Sequence, residues 1–201
     1  MSKNSKIGWG VLIVLVILLL IAFNSAKNIY NDFVRQREAV DGAWAQVQNV
    51  YQRRFDLIPN LVEIVKGYAS HERQTLQAVT EARAKVGGVT QLNAEDLTPE
   101  NLARFQQAQA GLSGALQRLM VVVEQYPNLK ANENFIRLQD ELAGTENRIA
   151  VERRRFNELT RDYNAKLQVF PNMIIAGLFN FTKKPYFQAE QQAQTAPKVE
   201  F

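Results

Sequence analysis

The hydrophobic and polar positions of this chain follow helical patterns along nearly its whole length. Between Ile7 and Phe23 almost every residue is apolar and none is charged, and the next charged residue is Lys27. From Phe33 onward the apolar positions recur at intervals of three and four, which places them on one face of a helix. The pattern predicts an all-α protein in which an N-terminal transmembrane helix continues into an antiparallel four-helix bundle.

The uncharged segment at 7–26 has the length and composition of a membrane-spanning helix. At about 1.5 Å per residue it is about 30 Å long, the thickness of the hydrocarbon core of a bilayer. A buried core helix is the first alternative, but no soluble bundle needs a helix that is apolar on every face. A cleaved signal peptide also has a basic start and an apolar run, but Phe23-Asn24-Ser25-Ala26 is a poor cleavage site. We therefore predict a retained signal-anchor helix after a short polar N-terminus at 1–6.

The charges on the two sides of this segment are nearly balanced. Lys3 and Lys6 precede it, and Lys27, Arg35 and Arg37 follow it. Since the excess of basic residues sets the orientation of a membrane helix, the balance leaves the orientation open. The order of a basic start followed by an apolar run favours an exported C-terminal domain.

Proline and glycine positions divide the rest of the chain into helices. Proline lacks an N–H and disfavours helical geometry in the residue before it, so Pro59 predicts the turn of a hairpin. Gly87 and Gly88 predict a helix end, and Thr98 followed by Pro99 predicts a helix start. The four predicted helices of the bundle are 27–57, 59–87, 99–126 and 132–170. Trp44 lies in the first apolar stripe, and we expect it in the core, facing the second helix.

Four charged residues interrupt the apolar stripes of these helices. Their long side chains can reach the edge of the stripe, they can form a polar network that fixes the helix register, or they can line a ligand pocket. The residues of this candidate buried polar network are Arg37, Arg54, Glu72 and Glu152.

A second apolar segment lies at 167–187, within the predicted bundle domain at 27–187. The chain is uncharged from Val169 to Phe181, but this is too short to cross a bilayer. Lys183, Lys184 and Tyr186 follow, a mixture typical of a lipid interface. The alternative is a segment that caps the open end of the bundle. The candidate contacts with a membrane or a protein partner are Phe170, Met173, Ile174, Ile175, Leu178, Phe179, Phe181, Tyr186 and Phe187. A flexible polar tail is predicted at 188–201.

The residue types argue against catalysis and against a bound cofactor. The chain has one histidine and no cysteine, and Thr75 stands where a zinc-protease motif beginning at His71 needs its second histidine. The net charge of +4 suits an anionic lipid surface and is too small to indicate nucleic acid. The run Arg153–Arg155 is spread around its helix and has acidic neighbours. We predict no enzyme, no metal and no cofactor.

Three motifs resemble those of the LemA family. They are the stretch from Arg53 to Glu72 around Pro59, the segment from Tyr126 to Asn132, and Pro185-Tyr186-Phe187. The resemblance extends from the N-terminal membrane helix to about Gln188. It implies the same helical bundle at a bacterial inner membrane, with an extracytoplasmic bundle favoured over the opposite orientation.

The resemblance also limits what can be expected of the function, because the molecular role of the family is not settled. We predict a non-enzymatic, single-pass scaffold that contacts the lipid bilayer and forms a homo-oligomer. Family members are often encoded near TPM-domain proteins or membrane proteases, which suggests such partners by association. The alternative is a membrane-tethered sensor that binds a small ligand through the charged residues of the stripes.

Overall fold

A computed structural model of the chain describes residues 3–89 and 92–188, without the side chains of residues 3–8 and 11. Every regular element in these ranges is helical, and they contain no strand. The predicted tail lies outside the described residues apart from Gln188. The helices are α1 (Lys3–Tyr68), α2 (Arg73–Gly87), α3 (Pro99–Val123), α4 (Pro127–Lys130), α5 (Glu133–Lys166) and α6 (Asn172–Leu178), with a 3-10 turn at Ala94–Asp96.

The first part of α1 is apolar on every face. Each side chain from Leu12 to Phe23 is exposed. By length and composition this helix is the one candidate for crossing a membrane among the described residues. A helix with no polar face has no side to turn toward water, so the exposed surface is consistent with a lipid environment.

The predicted hairpin at Pro59 is wrong, because α1 continues through this residue to Tyr68. A proline inside a helix removes the hydrogen bond to the carbonyl four residues earlier, here that of Phe55. In the structure Arg83 Nε donates to that carbonyl oxygen at 3.2 Å, and the guanidinium lies 3.8 Å from the centre of the Phe55 ring. An arginine on α2 therefore supplies the missing donor.

The helix break comes instead at residues 69–72, and the second helix is correspondingly shorter than predicted. It ends at Gly87, where the glycine pair predicted a stop. The start of α3 is also confirmed, since the Thr98 hydroxyl accepts a hydrogen bond from the Asn101 amide at 3.2 Å and Pro99 occupies the first turn. The predicted turn at Pro127 contains the single helical turn α4, and α5 ends at Lys166 rather than at 170.

The chain forms two compact units. We call Met1–Val40 with Arg161–Lys183 the N-terminal unit, and Asp41–Thr160 with Lys184–Phe201 the central unit. The helices α1 and α5 contribute residues to both. This division differs from the predicted domains at 7–26 and 27–187, which were defined by the membrane and stay a prediction.

An aromatic cluster and an aliphatic cluster form the core of the central unit. The Trp44 side chain is 1% exposed, which confirms its predicted place in the core. Its ring lies 5.4 Å from Phe105 of α3, 5.8 Å from Phe156 of α5 and 5.9 Å from Phe187. The indole N–H donates to the Leu92 carbonyl at 2.8 Å. Its aromatic neighbours thus come from α3, α5 and the C-terminal segment instead of the predicted second helix. The aliphatic cluster includes Ile58, Leu61, Val65, Val79, Leu112 and Leu119.

Candidate functional site

A buried arginine on α1 connects three helices of the central unit. Arg54 is 2% exposed, and one of its terminal nitrogens donates to the Glu146 carboxylate of α5 at 2.7 Å. The same nitrogen donates to the Ser113 hydroxyl of α3 at 3.0 Å, and the other donates to the side-chain oxygen of Gln109. The guanidinium carbon also lies 5.1 Å from the centre of the Tyr51 ring. Arg54 therefore forms hydrogen bonds with both α3 and α5 from a position inside the core.

The contacts of this cluster suit the packing of helices against one another. A buried charge is costly unless it is paired and hydrogen-bonded. The partners of Arg54 therefore have to stay within hydrogen-bonding distance of it, which fixes the register of α3 and α5 against α1. Burial raises the pKa of Tyr51 above its usual value, although Arg153 and Arg54 act in the opposite direction.

A second polar cluster surrounds Glu72, in the break between α1 and α2. Its carboxylate accepts a hydrogen bond from the Tyr126 hydroxyl at 3.0 Å, and this bond raises the pKa of Tyr126. Next to it, the Asn132 side chain donates to the Tyr68 hydroxyl at 3.0 Å. These contacts join the end of α1 to the segment around α4.

The four charged residues predicted as one network do not meet in one place. Arg54 and Glu72 have separate partners. Arg37 belongs to the N-terminal unit, where it is exposed and its guanidinium lies 5.7 Å from the centre of the Phe181 ring. Glu152 is half-buried, and one of its oxygens is buried without a hydrogen-bond partner among the described residues. No hydrogen bond or ion pair joins any two of these four residues in the described part of the chain, and a ligand site formed by them stays a prediction.

The candidate membrane or partner contacts divide between the two units. In the N-terminal unit the large side chains of this segment are mostly exposed, with fractions from 51% to 78%: Phe170, Met173, Ile174, Leu178 and Phe179. Ile175 and Phe181 are half-buried. In the central unit Tyr186 is exposed.

The prediction that Phe187 contacts a membrane or partner is wrong, because its side chain is 5% exposed and belongs to the core. Besides its contact with Trp44, its ring lies 5.5 Å from Phe156. Its backbone N–H and carbonyl both form hydrogen bonds with the Asn157 side chain, at 2.9 and 3.0 Å. A residue held from all sides in this way cannot contact a membrane.

Lys184 also differs from its predicted place at a lipid interface. Its ammonium lies 2.9 Å from the Asp41 carboxylate and 3.0 Å from the Ala94 carbonyl oxygen. Both partners belong to the central unit. These two contacts fix Lys184 to the rest of the central unit. Of the two lysines Lys183 and Lys184, only Lys183 is exposed.

No metal site is visible among the residues that the structure describes. His71 is exposed in the turn before α2. No group of three or more histidine, aspartate or glutamate side chains in the described ranges could hold a metal ion. The absence of catalysis and of a cofactor remains a prediction.

Sequence reasoning missed the partners of Arg54 and the role of Arg83. Gln109 and Ser113 fall on the inner side of α3, where polar residues stand out against the apolar stripe, and this irregularity was a usable signal. Glu146 is 42% exposed and resembles any surface carboxylate of α5. The contact of Arg83 with the Phe55 carbonyl could not be expected, because it requires that α1 continue through Pro59.

Comparison with known proteins decides the family. The model of the LemA family matches residues 43–201, which is most of the chain. The chain belongs to the LemA family. The resemblance noted from the three motifs is thereby confirmed.

Several curated relatives align with most of this LemA-family chain. Magnetosome protein MamQ 2 of Paramagnetospirillum magneticum (strain AMB-1) is 26% identical over 92% of this chain and 74% of its own length. Magnetosome protein MamQ of Magnetospirillum gryphiswaldense is 26% identical over 89% of this chain and 72% of its own length. Protein LemA of Metamycoplasma hominis is 23% identical over 80% of this chain and 69% of its own length.

Two of the motifs that carry the LemA resemblance contact one another in the structure. Tyr68 and Glu72 end the first motif, and they form hydrogen bonds with Asn132 and Tyr126 of the second. The first and second motifs are more than fifty residues apart in the chain, so only folding brings them together. The third motif supplies Phe187 to the aromatic core.

Proposed function

We propose that this LemA-family protein is a non-enzymatic scaffold, attached to the membrane by the first part of α1. In this proposal the central unit is an antiparallel four-helix bundle made of the second half of α1 with α2, α3 and α5. The bundle self-associates or presents its helices to another membrane protein. A TPM-domain protein or a membrane protease is the expected kind of partner.

The observation that carries this proposal is the exposed apolar surface of Leu12–Phe23. Such a surface is stable in lipid and costly in water, since about 25 cal/mol is lost for each Å² of apolar area left in contact with water. This segment continues into the rest of α1 without a helix break. In this proposal α1 connects the central unit to the bilayer.

The buried contacts of the central unit support a role in packing rather than in chemistry. Arg54 fixes α1 against α3 and α5, and Arg83 satisfies the carbonyl of Phe55. The short turn at 69–72 between α1 and α2 supports the antiparallel arrangement of these two helices. A bundle with its register determined in this way presents a constant outer surface to partners.

The membrane part of the proposal is tested by charges placed in the span. Replacing both Leu15 and Leu19 by arginine should cost about 5–7 kcal/mol of insertion free energy, since each arginine near the centre costs roughly 2.5–3.5 kcal/mol. The full-length variant should be lost from the membrane fraction after carbonate extraction. Retention of the double variant in that fraction would contradict the proposal. The matched control replaces both residues by valine and should behave like the wild type.

Self-association is tested with cysteines, because the natural chain contains none. Single-cysteine variants of the full-length protein at exposed positions of α3 and α5 should form disulfide-linked dimers on oxidation in the native membrane. Light scattering of the detergent-solubilised protein should then give a defined mass above that of one chain. A monomeric particle with no dimer at any position would contradict self-association. The scaffold would then have to act by binding another membrane protein.

A further inference from the structure

The helix α6 carries an apolar stripe on its outer side. Phe170, just before α6, and Met173, Ile174 and Leu178 within it lie at positions i, i+3, i+4 and i+8, and each is more than half exposed. On the opposite side Ala176 is buried. Soluble surfaces rarely expose a contiguous apolar patch of this kind unless something covers it.

The stripe is held on α1 by contacts within the N-terminal unit. The rings of Phe179 and Phe181 lie 4.8 and 5.6 Å from the ring of Tyr30, and Phe181 also lies 5.1 Å from Phe33. Asn180 adopts the left-handed conformation (φ 56°), and the Phe181 amide donates back to the Ala176 carbonyl at 2.9 Å. This is a regular helix C-terminus, and asparagine tolerates it well. The direction of the stripe relative to α1 is therefore set by packing.

The contacts with Tyr30 place the stripe just beyond the end of the apolar span. Tyr30 follows Phe23 by seven residues of continuous helix, which is about 10 Å along the helix axis. The polar headgroup region extends on the order of 5–7 Å beyond the hydrocarbon core on each side of a bilayer. If the core ends near Ala26, Tyr30 and the rings packed on it lie at the level of the headgroups.

The charges of the N-terminal unit are mainly basic where its side chains are described. Its six basic side chains are Lys27, Arg35, Arg37, Arg161, Lys166 and Lys183, and its three acidic ones are Asp32, Glu38 and Asp162. Lys166 and Arg35 lie within 4 Å of Asp32, and Arg161 within 4 Å of Asp162. Lys27, Arg37 and Lys183 are exposed and have no carboxylate within that distance among the described residues. These three are available to phosphate groups.

We propose that α6 lies in the headgroup region of the membrane that α1 crosses. Its apolar stripe is buried at the acyl boundary, and Lys27 and Lys183 contact the phosphates of anionic phospholipids. This inference rests on the proposed membrane span, because the depth of α6 is counted from it. Apolar residues beside basic ones are the composition of segments that lie in this zone. A second copy of the chain would also cover the stripe, and the experiment below distinguishes it from lipid.

The depth of the stripe is measured with a fluorophore on single cysteines. Ile174→Cys and Leu178→Cys are made in the full-length protein, labelled with an environment-sensitive nitrobenzoxadiazole group and reconstituted into vesicles. The vesicles contain phosphatidylcholine alone or a mixture with phosphatidylglycerol. Val151→Cys, an exposed valine of the central unit, is the matched control. Lipids with a nitroxide on the acyl chain quench a label inside the bilayer, whereas iodide quenches a label in water.

The expected result is quenching of the labels at 174 and 178 by the nitroxide lipids, together with iodide quenching of the label at 151. Iodide quenching at 174 and 178 would overturn the inference. The inference would also be overturned by a blue-shifted label that neither agent quenches, together with a disulfide dimer through Leu178→Cys. These two results would mark a second copy of the chain on the stripe.

Flotation of the same vesicles distinguishes failure of the membrane span from failure of the α6 inference. A protein that does not float refutes the membrane span, and a floating protein with labels in water refutes only the position of α6.

The role of anionic lipid is tested by removing charges. Lys27→Gln and Lys183→Gln should each lower the ratio of buried to exposed label about fivefold in the mixed vesicles, since each lysine near an anionic surface contributes roughly 1 kcal/mol. Neither change should have an effect in phosphatidylcholine alone. Arg155→Gln, an exposed position of α5 in the central unit, is the control and should change nothing. Equal burial in both kinds of vesicle, unaffected by the lysine changes, would overturn the contact with anionic lipid.

Discussion

The two units of this protein place their apolar side chains in opposite ways. In the central unit Trp44, Phe105, Phe156 and Phe187 form a closed aromatic cluster. In the N-terminal unit large apolar side chains are exposed along α1 from Leu12 to Phe23 and again on α6. Both units use the same residue types and the same secondary structure. The difference indicates that the central unit is built to exclude water, and the exposed apolar surface of the N-terminal unit agrees with the proposed contact with lipid.

Polar groups show the same contrast. The central unit buries an arginine and supplies it with partners from two other helices. In the N-terminal unit the basic side chains stay at the surface, and several pair with neighbouring acidic residues. A buried charge needs partners at fixed positions, whereas an exposed charge interacts with whatever ion or lipid is near it. The buried charge of the central unit is therefore bound by side chains of the same unit, while the exposed charges of the N-terminal unit can also bind ions or lipids from the surroundings.

The largest effect should follow from removing the exposed apolar part of α1. A protein consisting of residues 28–201 should be soluble and strongly helical, because the central unit buries its own core. The measurement is circular dichroism with thermal melting of the purified protein. Aggregated material without a cooperative transition would show that the two units do not differ in the way described.

The second prediction concerns the aromatic core. Trp44→Ala should destabilise the full-length protein in detergent by about 3–5 kcal/mol, because it leaves a large cavity among Phe105, Phe156 and Phe187. Chemical denaturation followed by circular dichroism measures the loss. Leu20→Ala, in the exposed apolar part of α1, is the matched control and should change the free energy of unfolding by much less. A loss below about 1 kcal/mol for Trp44→Ala would contradict its role in the core.

The smallest effect separates two neighbouring ion pairs of the central unit. Arg53 and Arg54 are adjacent, but the first pairs with Glu141 at the surface and the second pairs with Glu146 from inside the core. Glu146→Ala should cost roughly 1–3 kcal/mol, because it leaves Arg54 buried without a counter-charge, although the partly exposed carboxylate reduces the effect. Glu141→Ala should cost at most about 1 kcal/mol.

Both variants are measured by urea denaturation of the same preparation, with the glutamine variants as controls that keep the side-chain size. Glu146→Gln should be intermediate, since an amide oxygen can still accept from Arg54. Equal losses at the two positions would mean that the burial of Arg54 has no energetic consequence, and the interpretation of this cluster as a fixed contact among three helices would be wrong.

The sequence by itself determined the features that depend on local physics. An uncharged segment of about twenty residues predicts a membrane helix, because a charged side chain or an unpaired backbone polar group is costly in hydrocarbon. The start of α3 at Thr98 and Pro99 follows from capping, which involves only neighbouring residues. The end of α2 at Gly87 lies at the predicted glycine pair, although Gly88 keeps a right-handed helical conformation. The amphipathic stripes indicated that Trp44 is buried, since a helix turns its apolar face inward.

Only the tertiary structure decided the features in which a distant residue changes a local preference. Pro59 disrupts a helix when the carbonyl it leaves unpaired has no donor, and here Arg83 supplies one from another helix. Phe187 and Lys184 have the composition of an interfacial segment, but Asn157 and Asp41 hold them in the central unit. Arg54 interrupts an apolar stripe in the sequence, and its partners on α3 and α5 make the buried position stable. In each case the partner is remote along the chain, so its contribution appears only when folding brings the two residues into contact.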